Sequence, residues 1–324
     1  MLQPIAILGA SSQIARDLIC SMVKQGRTGL QLYGRALPAI RAWLEAQGIS
    51  AACALHSYHQ YGELPHDTVI NFVGVGDPRR AAEMGASILD VTRQFDDMVL
   101  AGLAVNPGRR YLFLSSGAVY GNSFTEPVCD STEAQVAINN IAPQDYYAIA
   151  KMYAEVRHRS SPNLAIVDLR VFNYFSRSQD VEARFFITDI VRAIRDKQTL
   201  KTSSDYMVRD FLHPEDFCQL VDCVLAAPPR NCAVDCYTRE AIDKPTLLET
   251  MQRQFGLKYE YAESGERVSV NATGSKPYYY SCNRKAAEFG YVPRFSSMEG
   301  VVTETEAILD FGSPVKIHGK KQWQ

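Results

Sequence analysis

Short apolar runs alternate with longer amphipathic stretches through the first half of the chain. PIAIL precedes IARDLICSMVKQG, in which Ile14, Leu18, Ile19 and Met22 fall on one side of a helix. LQLYG precedes LPAIRAWLEAQG, and TVINFVG precedes a periodic stretch from about Arg80 to Leu103. RRYLFLSS leads through a loop into YAIAKMYAEVRHR, and LAIVDLRVF follows. Strand-length runs separated by helical patterns predict βα units on a parallel sheet. The runs are nearly continuous hydrophobes, as strands covered on both faces must be. After Phe172 the regularity drops. FFITDIVRAIRDKQ and HPEDFCQLVDCVLAA predict two further helices, the second with Pro214 near its first turn. From Arg239 onward, short mixed elements and turn residues predominate.

The pattern predicts an α/β protein, a doubly wound parallel sheet with a smaller mixed C-terminal lobe. The expected division is a dinucleotide-binding domain over 1–173, with 209–237 returning to it. A substrate-binding lobe takes 174–208 and 238–310, and 311–324 is an exposed tail.

Composition narrows the class. A net charge of −2 in 324 residues leaves no basic footprint for nucleic acid. No apolar run approaches the roughly 18 residues of a spanning helix. No basic segment precedes the first apolar run, so neither a membrane nor a signal peptide is expected, and a cytoplasmic location is. The eight cysteines are scattered without CxxC spacing, and the six histidines do not cluster. The sequence therefore predicts reduced, core-type thiols and no metal.

The stretch GASSQIA follows the first strand and opens the first helix. Gly9 supplies a tight turn, Ser11 and Ser12 are small hydroxyl donors, and Ala15 is small enough for close helix–strand packing. Gln13 and Ile14 sit in the same loop. On spacing alone this is equally a phosphate cradle or an ordinary strand–turn–helix. The second strand ends in Gly34 and Arg35, with no acid nearby. An acid there meets a ribose 2′-hydroxyl, whereas an arginine there pairs with a 2′-phosphate or is simply solvated. The favoured cofactor is NADP(H) rather than NAD(H).

Tyr147 and Lys151 are four apart on a predicted helix and share a face. A phenol with a pKa of about 10 needs a neighbouring cation to ionise near neutrality. Such a pair also arises by accident on solvated helices. Ser116, however, ends a predicted strand, where the carboxyl edge of a doubly wound sheet faces a crevice. A hydroxyl there donates to a carbonyl or alkoxide.

These landmarks, in this order, resemble the extended short-chain dehydrogenase/reductase family, in particular its nucleotide-sugar epimerases, dehydratases and reductases. SSGAVYG is similar to its serine strand and YYAIAK to its Tyr-Lys helix. LRVFNYF, VRDFLHPEDF and YYYSCNRKAAEFGYVP resemble its later segments. The resemblance implies a Rossmann sheet, a nucleotide-sugar substrate and a homodimer formed through the Arg80–Leu103 helix, with Leu89 and Leu100 off its main stripe. It also implies roles. Ser116 would bind the sugar C4 oxygen, Tyr147 exchange its proton, and Lys151 hold the nicotinamide ribose. Asn173 would contact the nucleotidyl-sugar, Arg209 its pyrophosphate, and Lys276 a phosphate. Phe72, Val73 and Gly74, in the stretch that ends at Gly76, would pass beside the cofactor.

The family's dehydratases carry an acidic pair directly after the serine position, where this chain has Gly117 and Ala118. The expectation is therefore an NADPH-dependent reductase of a nucleotide-linked 4-keto-6-deoxy sugar. A 4-epimerase is the alternative, and a non-catalytic NADP-binding regulator the remote one.

Overall fold

The computed structural model describes residues 4–75, 81, 83–121, 123–262 and 276–311. The first half runs β1 (Ile5–Leu8), α1 (Gln13–Lys24), β2 (Leu30–Tyr33), α2 (Leu37–Ala46), β3 (Cys53–His56) and β4 (Thr68–Asn71). It continues with α3 (Ser87–Val105), β5 (Arg110–Ser116), α4 (Tyr146–Arg159) and β6 (Ala165–Val171). Then come β7 (Asn173–Tyr174), α5 (Phe186–Arg195), β8 (Thr199–Thr202), β9 (Val208–Arg209) and β10 (Phe211–Leu212). The chain goes on through α6 (Pro214–Ala226), β11 (Cys232–Asp235), β12 (Ile242–Asp243) and α7 (Lys244–Phe255). It ends with β13 (Lys258–Tyr261), β14 (Tyr278–Tyr279) and α8 (Ser297–Phe311).

Seven strands form one sheet in the order β11-β6-β5-β4-β1-β2-β3, and every pairing in it is parallel. This is the doubly wound arrangement that the alternating runs predict. Both faces are covered. Ile5, Ile7, Leu30, Leu32 and Leu112 pack against α1 and α6 through Leu18, Ile19, Met22 and Phe217. Their neighbours Ala6, Leu8, Tyr33, Tyr111 and Phe113 pack the other way, against Val99 and Leu103 of α3 and Ala154 of α4. Residues alternate faces along each strand, so both alternations must be apolar.

Capping sets the helix starts. The Ser12 side chain accepts the Ala15 backbone N–H at the head of α1. His213 does the same for Glu215 ahead of α6, with Pro214 in the first turn. Asp243 caps α7, which stops at Gly256 in the left-handed conformation. Helix α3 begins at Ser87, later than the periodicity suggests, and Arg80 lies outside the described residues. So do Gly76 and residues 312–324. The second half builds a separate apolar cluster from Phe175, Ile190, Leu248, Met251 and Val301. Beside it lies a three-stranded sheet in the order β12-β9-β14. Among the described residues, no helix is long and apolar enough to cross a membrane.

Candidate active site

Strand order reverses at β1, between β2 and β4, and a ligand crevice opens at such a switch point. Gly9 turns there with φ +76°, and a Cβ on it would sit 2.8 Å from the Phe72 carbonyl carbon. Only glycine lets the ends of β1 and β4 approach this closely. Gly9→Ala is expected to destabilise the fold by more than about 1 kcal/mol; thermal melts with and without NADPH check this. Ser11 is exposed, and Ser12 is committed to its cap. Ile14 packs into the core, and the Gln13 amide donates to Ser176 Oγ at 2.9 Å. Only the backbone of Ile14 therefore faces the crevice. Phe72 is likewise a core side chain, in edge contact with Phe217, so its backbone rather than its ring borders the crevice. Val73 N–H donates to Asn71 Oδ1 at 2.9 Å. Gly74 is exposed, and a Cβ on it would lie 3.4 Å from Lys151 Nζ. These features fit a dinucleotide laid across the strand ends.

Ser116 ends β5, 5% exposed, and its hydroxyl accepts the Ala118 N–H at 3.1 Å. Gly117 follows because a Cβ there would fall 2.3 Å from the Phe172 ring. Tyr147 and Lys151 share the sheet-facing side of α4. Tyr147 is hydrogen-bonded to Ser116, and burial outweighs that bond, holding the phenol above its ordinary pKa. Lys151 Nζ donates to Leu114 O at 2.6 Å and lies 4.3 Å over the Phe113 ring. Burial brings that ammonium down to about 8, against the pull of Asp96, Glu155 and Asp168.

One residue escaped the sequence reading. Tyr279 OH lies 3.4 Å from Ser116 Oγ, so two phenols approach the same serine. Its ring packs edge-on against Phe124 at 4.7 Å. Lys276 Nζ sits 4.7 Å over the Tyr279 ring and 5.1 Å over Phe124. Burial, then the like charge of Arg209, lowers Lys276 to about 8. The Arg209 guanidinium donates to Val208 O and to Lys276 O at 2.7 Å, and burial lowers it to about 10. Asn173 donates to Tyr279 O at 3.3 Å and to Asp210 O at 3.4 Å. Asn173, Arg209, Lys276 and Tyr279 therefore form one wall beside Ser116. Two desolvated cations, Arg209 donating to carbonyls and Lys276 lying over two rings, favour an anion there. The signal for Tyr279 was in view in the YYYSC run, but nothing local singled out one of three tyrosines.

Arg35 is set apart. It is exposed at the end of β2, after the buried Gly34. Its charge acts on Tyr58, whose phenol also reaches Gly9. It therefore borders the crevice end farthest along the sheet from Ser116. Beneath Lys151 lies a buried ionic cluster. His158, fully buried, meets Asp168 through Nδ1 at 2.6 Å and Asp96 through Nε2 at 2.8 Å. Arg157 and Arg159 complete the two carboxylates. Tyr111 OH donates to Asp96, and Asn71 donates to Tyr111, which links the cluster to the Val73 shoulder.

The sequence profile described as the NAD dependent epimerase/dehydratase family matches residues 5–234. The chain belongs to that family. The match covers the parallel sheet as far as the third residue of β11 and the segments bearing Gly9, Ser116, Tyr147, Lys151 and Arg209. Solved structures of the same fold match nearly end to end. MoeE5 in complex with UDP-glucose and NAD gives a TM-score of 0.74 at 17% identity, covering 96% of this chain and 100% of that one. UDP-glucose-4-epimerase from Stenotrophomonas maltophila, with bound NAD and formylated UDP-arabinopyranose, gives 0.76 at 15%, covering 96% and 98%. dTDP-glucose 4,6-dehydratase from Bacillus anthracis in complex with NAD gives 0.73 at 16%, covering 94% and 96%. At these identities the likeness is one of fold. No curated protein matches the chain by sequence. As a member of the epimerase/dehydratase family, the protein is an NAD(P)-dependent enzyme.

Proposed function

We propose that this enzyme reduces the C4 keto group of a nucleotide-linked 4-keto-6-deoxy sugar with NADPH, in the formation of sugars for surface polysaccharide. The observation that carries this reading is the end of β2, where exposed Arg35 follows Gly34 and no carboxylate follows them. A guanidinium there suits a 2′-phosphate and an exchangeable NADPH. Gly9, Ser11, Ser12, Gln13, Ile14, Arg35, Phe72, Val73 and Gly74 border the cofactor, Gln13 through its backbone and Ile14 likewise. Asn173 and Arg209, at the edges of the dinucleotide-binding domain (1–173 and 209–237), and Lys276, in the lobe assigned to 174–208 and 238–310, hold the nucleotide diphosphate. The nicotinamide, when bound, supplies the hydride.

The chain's own groups supply the rest. Ser116 donates a hydrogen bond to the keto oxygen, which polarises the carbonyl. Tyr147 gives its proton to that oxygen as negative charge develops on it. Burial keeps this phenol protonated, the state that a proton donor requires. Lys151 orients the nicotinamide ribose and replenishes the proton. Gly117 and Ala118 carry no acid–base group, which argues against dehydration.

The 4-epimerase reading has its own support in the fold-level likeness to a 4-epimerase structure containing NAD. Purified protein offered NADPH and a panel of 4-keto nucleotide sugars, followed by NADPH absorbance, tests the reductase. Tightly held NAD that never exchanges, with sugar interconversion and no net oxidation, would favour the epimerase. Arg35→Ala is expected to weaken NADPH by roughly ten- to a hundredfold while sparing NADH. Titrating both cofactors against both proteins checks it, and equal wild-type affinities would remove the preference.

A homodimer through α3 and α4 is also proposed. Leu89 and Leu100, expected to be exposed in a monomer, are half-buried within the subunit. Exposed apolar residues on these two helices include Tyr153 and Val156 of α4, 51% and 61% exposed, and Val105 at the end of α3. Sedimentation velocity should show twice the 36.2 kDa monomer mass, reduced by Val156→Glu.

A further inference from the structure

Two of the eight cysteines are exposed, Cys129 and Cys282, and the sequence gives no hint that they are related. The fold pairs the residues that precede them. Val128 and Ser281 form a parallel bridge. Val128 N–H donates to Tyr280 O at 3.1 Å, and Cys282 N–H donates to Val128 O at 2.7 Å. Successive residues of paired strands turn to opposite faces together. Val128 and Ser281 are buried, at 3% and 1% exposed. The next pair in register, Cys129 and Cys282, therefore turns outward, in keeping with the exposure of both. Paired strands lie about 4.8 Å apart. That is inside the Cα separation of about 4.4–6.8 Å that a disulfide spans.

The segments that carry the two cysteines also carry part of one wall of the candidate site. Tyr278 N–H donates to Phe124 O at 3.0 Å, three residues before Ser281 and four before Val128. The Tyr279 ring rests on Phe124, and its hydroxyl reaches Ser116. Segments 124–129 and 278–282 are thus two rows of a short zipper that presents Tyr279 to Ser116. The remaining six cysteines are buried or half-buried and take no part in it. Cys129 and Cys282 are thus exceptions to the core-type thiols that the sequence predicts.

We propose that Cys129 and Cys282 are a redox modification site, closing to a reversible disulfide that locks these two segments together. The oxidant class is a small-molecule disulfide such as oxidised glutathione. The Cys129 thiolate attacks one of its sulfurs and releases one small thiolate, leaving a mixed disulfide. The Cys282 thiol gives up its proton and attacks Cys129 Sγ, and the second small thiolate leaves. Two protein thiols are oxidised by two electrons, and one small disulfide becomes two thiols. Cys129 is the suited attacker. Ser131 and Thr132 hydrogen-bond its sulfur at 3.2 and 3.6 Å and hold its pKa below the ordinary thiol value. An exposed bond of this kind belongs with the labile, regulatory class rather than the structural one. Neither the bond nor the locking depends on the proposed reaction.

Incubation of the full-length protein with excess oxidised glutathione, then tryptic mass spectrometry without reductant, reads the bond directly. The expected product is one cross-linked species joining the fragments that carry Cys129 and Cys282, reversed by dithiothreitol. In Cys282→Ser the glutathione adduct on Cys129 should persist, because no second thiol displaces it. Lasting adducts on both cysteines of the wild type, a bond to any other cysteine, or no reaction would each overturn the site. Amide hydrogen exchange of the 278–282 backbone should slow by at least roughly fivefold on oxidation and recover on reduction. Cross-linking with unchanged exchange would overturn the locking.

Discussion

Replacing Tyr147 by phenylalanine lowers turnover by about 10²–10⁴-fold while leaving the fold and cofactor affinity nearly intact. General acid–base groups contribute within that range. The substitution removes one hydroxyl and keeps the ring that packs beside Val75, Ile88 and Ala150. Thermal melts and NADPH titration should therefore match the wild type, and single-turnover reduction should not. The second phenol makes the result informative. Tyr279 approaches the same serine as Tyr147. Near wild-type turnover in Tyr147→Phe would mean that Tyr147 is not the acid and that Tyr279 is the group to replace next. The pH profile has a definite sign. Reduction uses the protonated phenol, whose pKa burial has raised. Its rate should therefore hold through neutral pH and fall only on the alkaline side.

His158→Leu should cost about 3–5 kcal/mol of stability, the range for removing one member of a buried ion pair. The imidazole lies between Asp168 and Asp96 with no exposure to solvent. Burial pushes its pKa down, but the two aspartates outweigh burial and bring it up to about 9. A group whose pKa is raised on folding stabilises most strongly below its unfolded value of about 6.5. That stabilisation drains away as pH rises through the folded value. The difference in unfolding free energy between wild type and variant should thus be largest below about pH 6.5 and shrink towards pH 9. Denaturant melts at several pH values check this, and a difference that grows with pH would contradict the buried cation. The loss should also reach the site, because Asp96, Tyr111 and Asn71 connect the cluster to Val73 N–H beside Gly74.

The parallel sheet could be read from the chain because strands covered on both faces must be largely apolar: β1 is wholly so, and β2, β4 and β6 are apolar but for Gln31, for Thr68 and Asn71, and for Asp168 and Arg170. The α1 cap at Ser12 and the shared face of Tyr147 and Lys151 are local, set by helix geometry over a few residues. The turn at Gly9 was visible as a candidate for the same reason. That it must be glycine was not visible, because the constraint comes from Phe72 on another strand. The protonation states also depend on the fold. Lys151 beside Tyr147 suggests a phenolate, but the ammonium is held by Leu114 O and the phenol is desolvated. The pairings of Tyr279 with Ser116 and of Cys129 with Cys282 depend on how distant segments meet: β14 against β9, and Val128 against Ser281. No periodicity records such a meeting, because side-chain patterns report which face of an element is buried and not which distant element buries it.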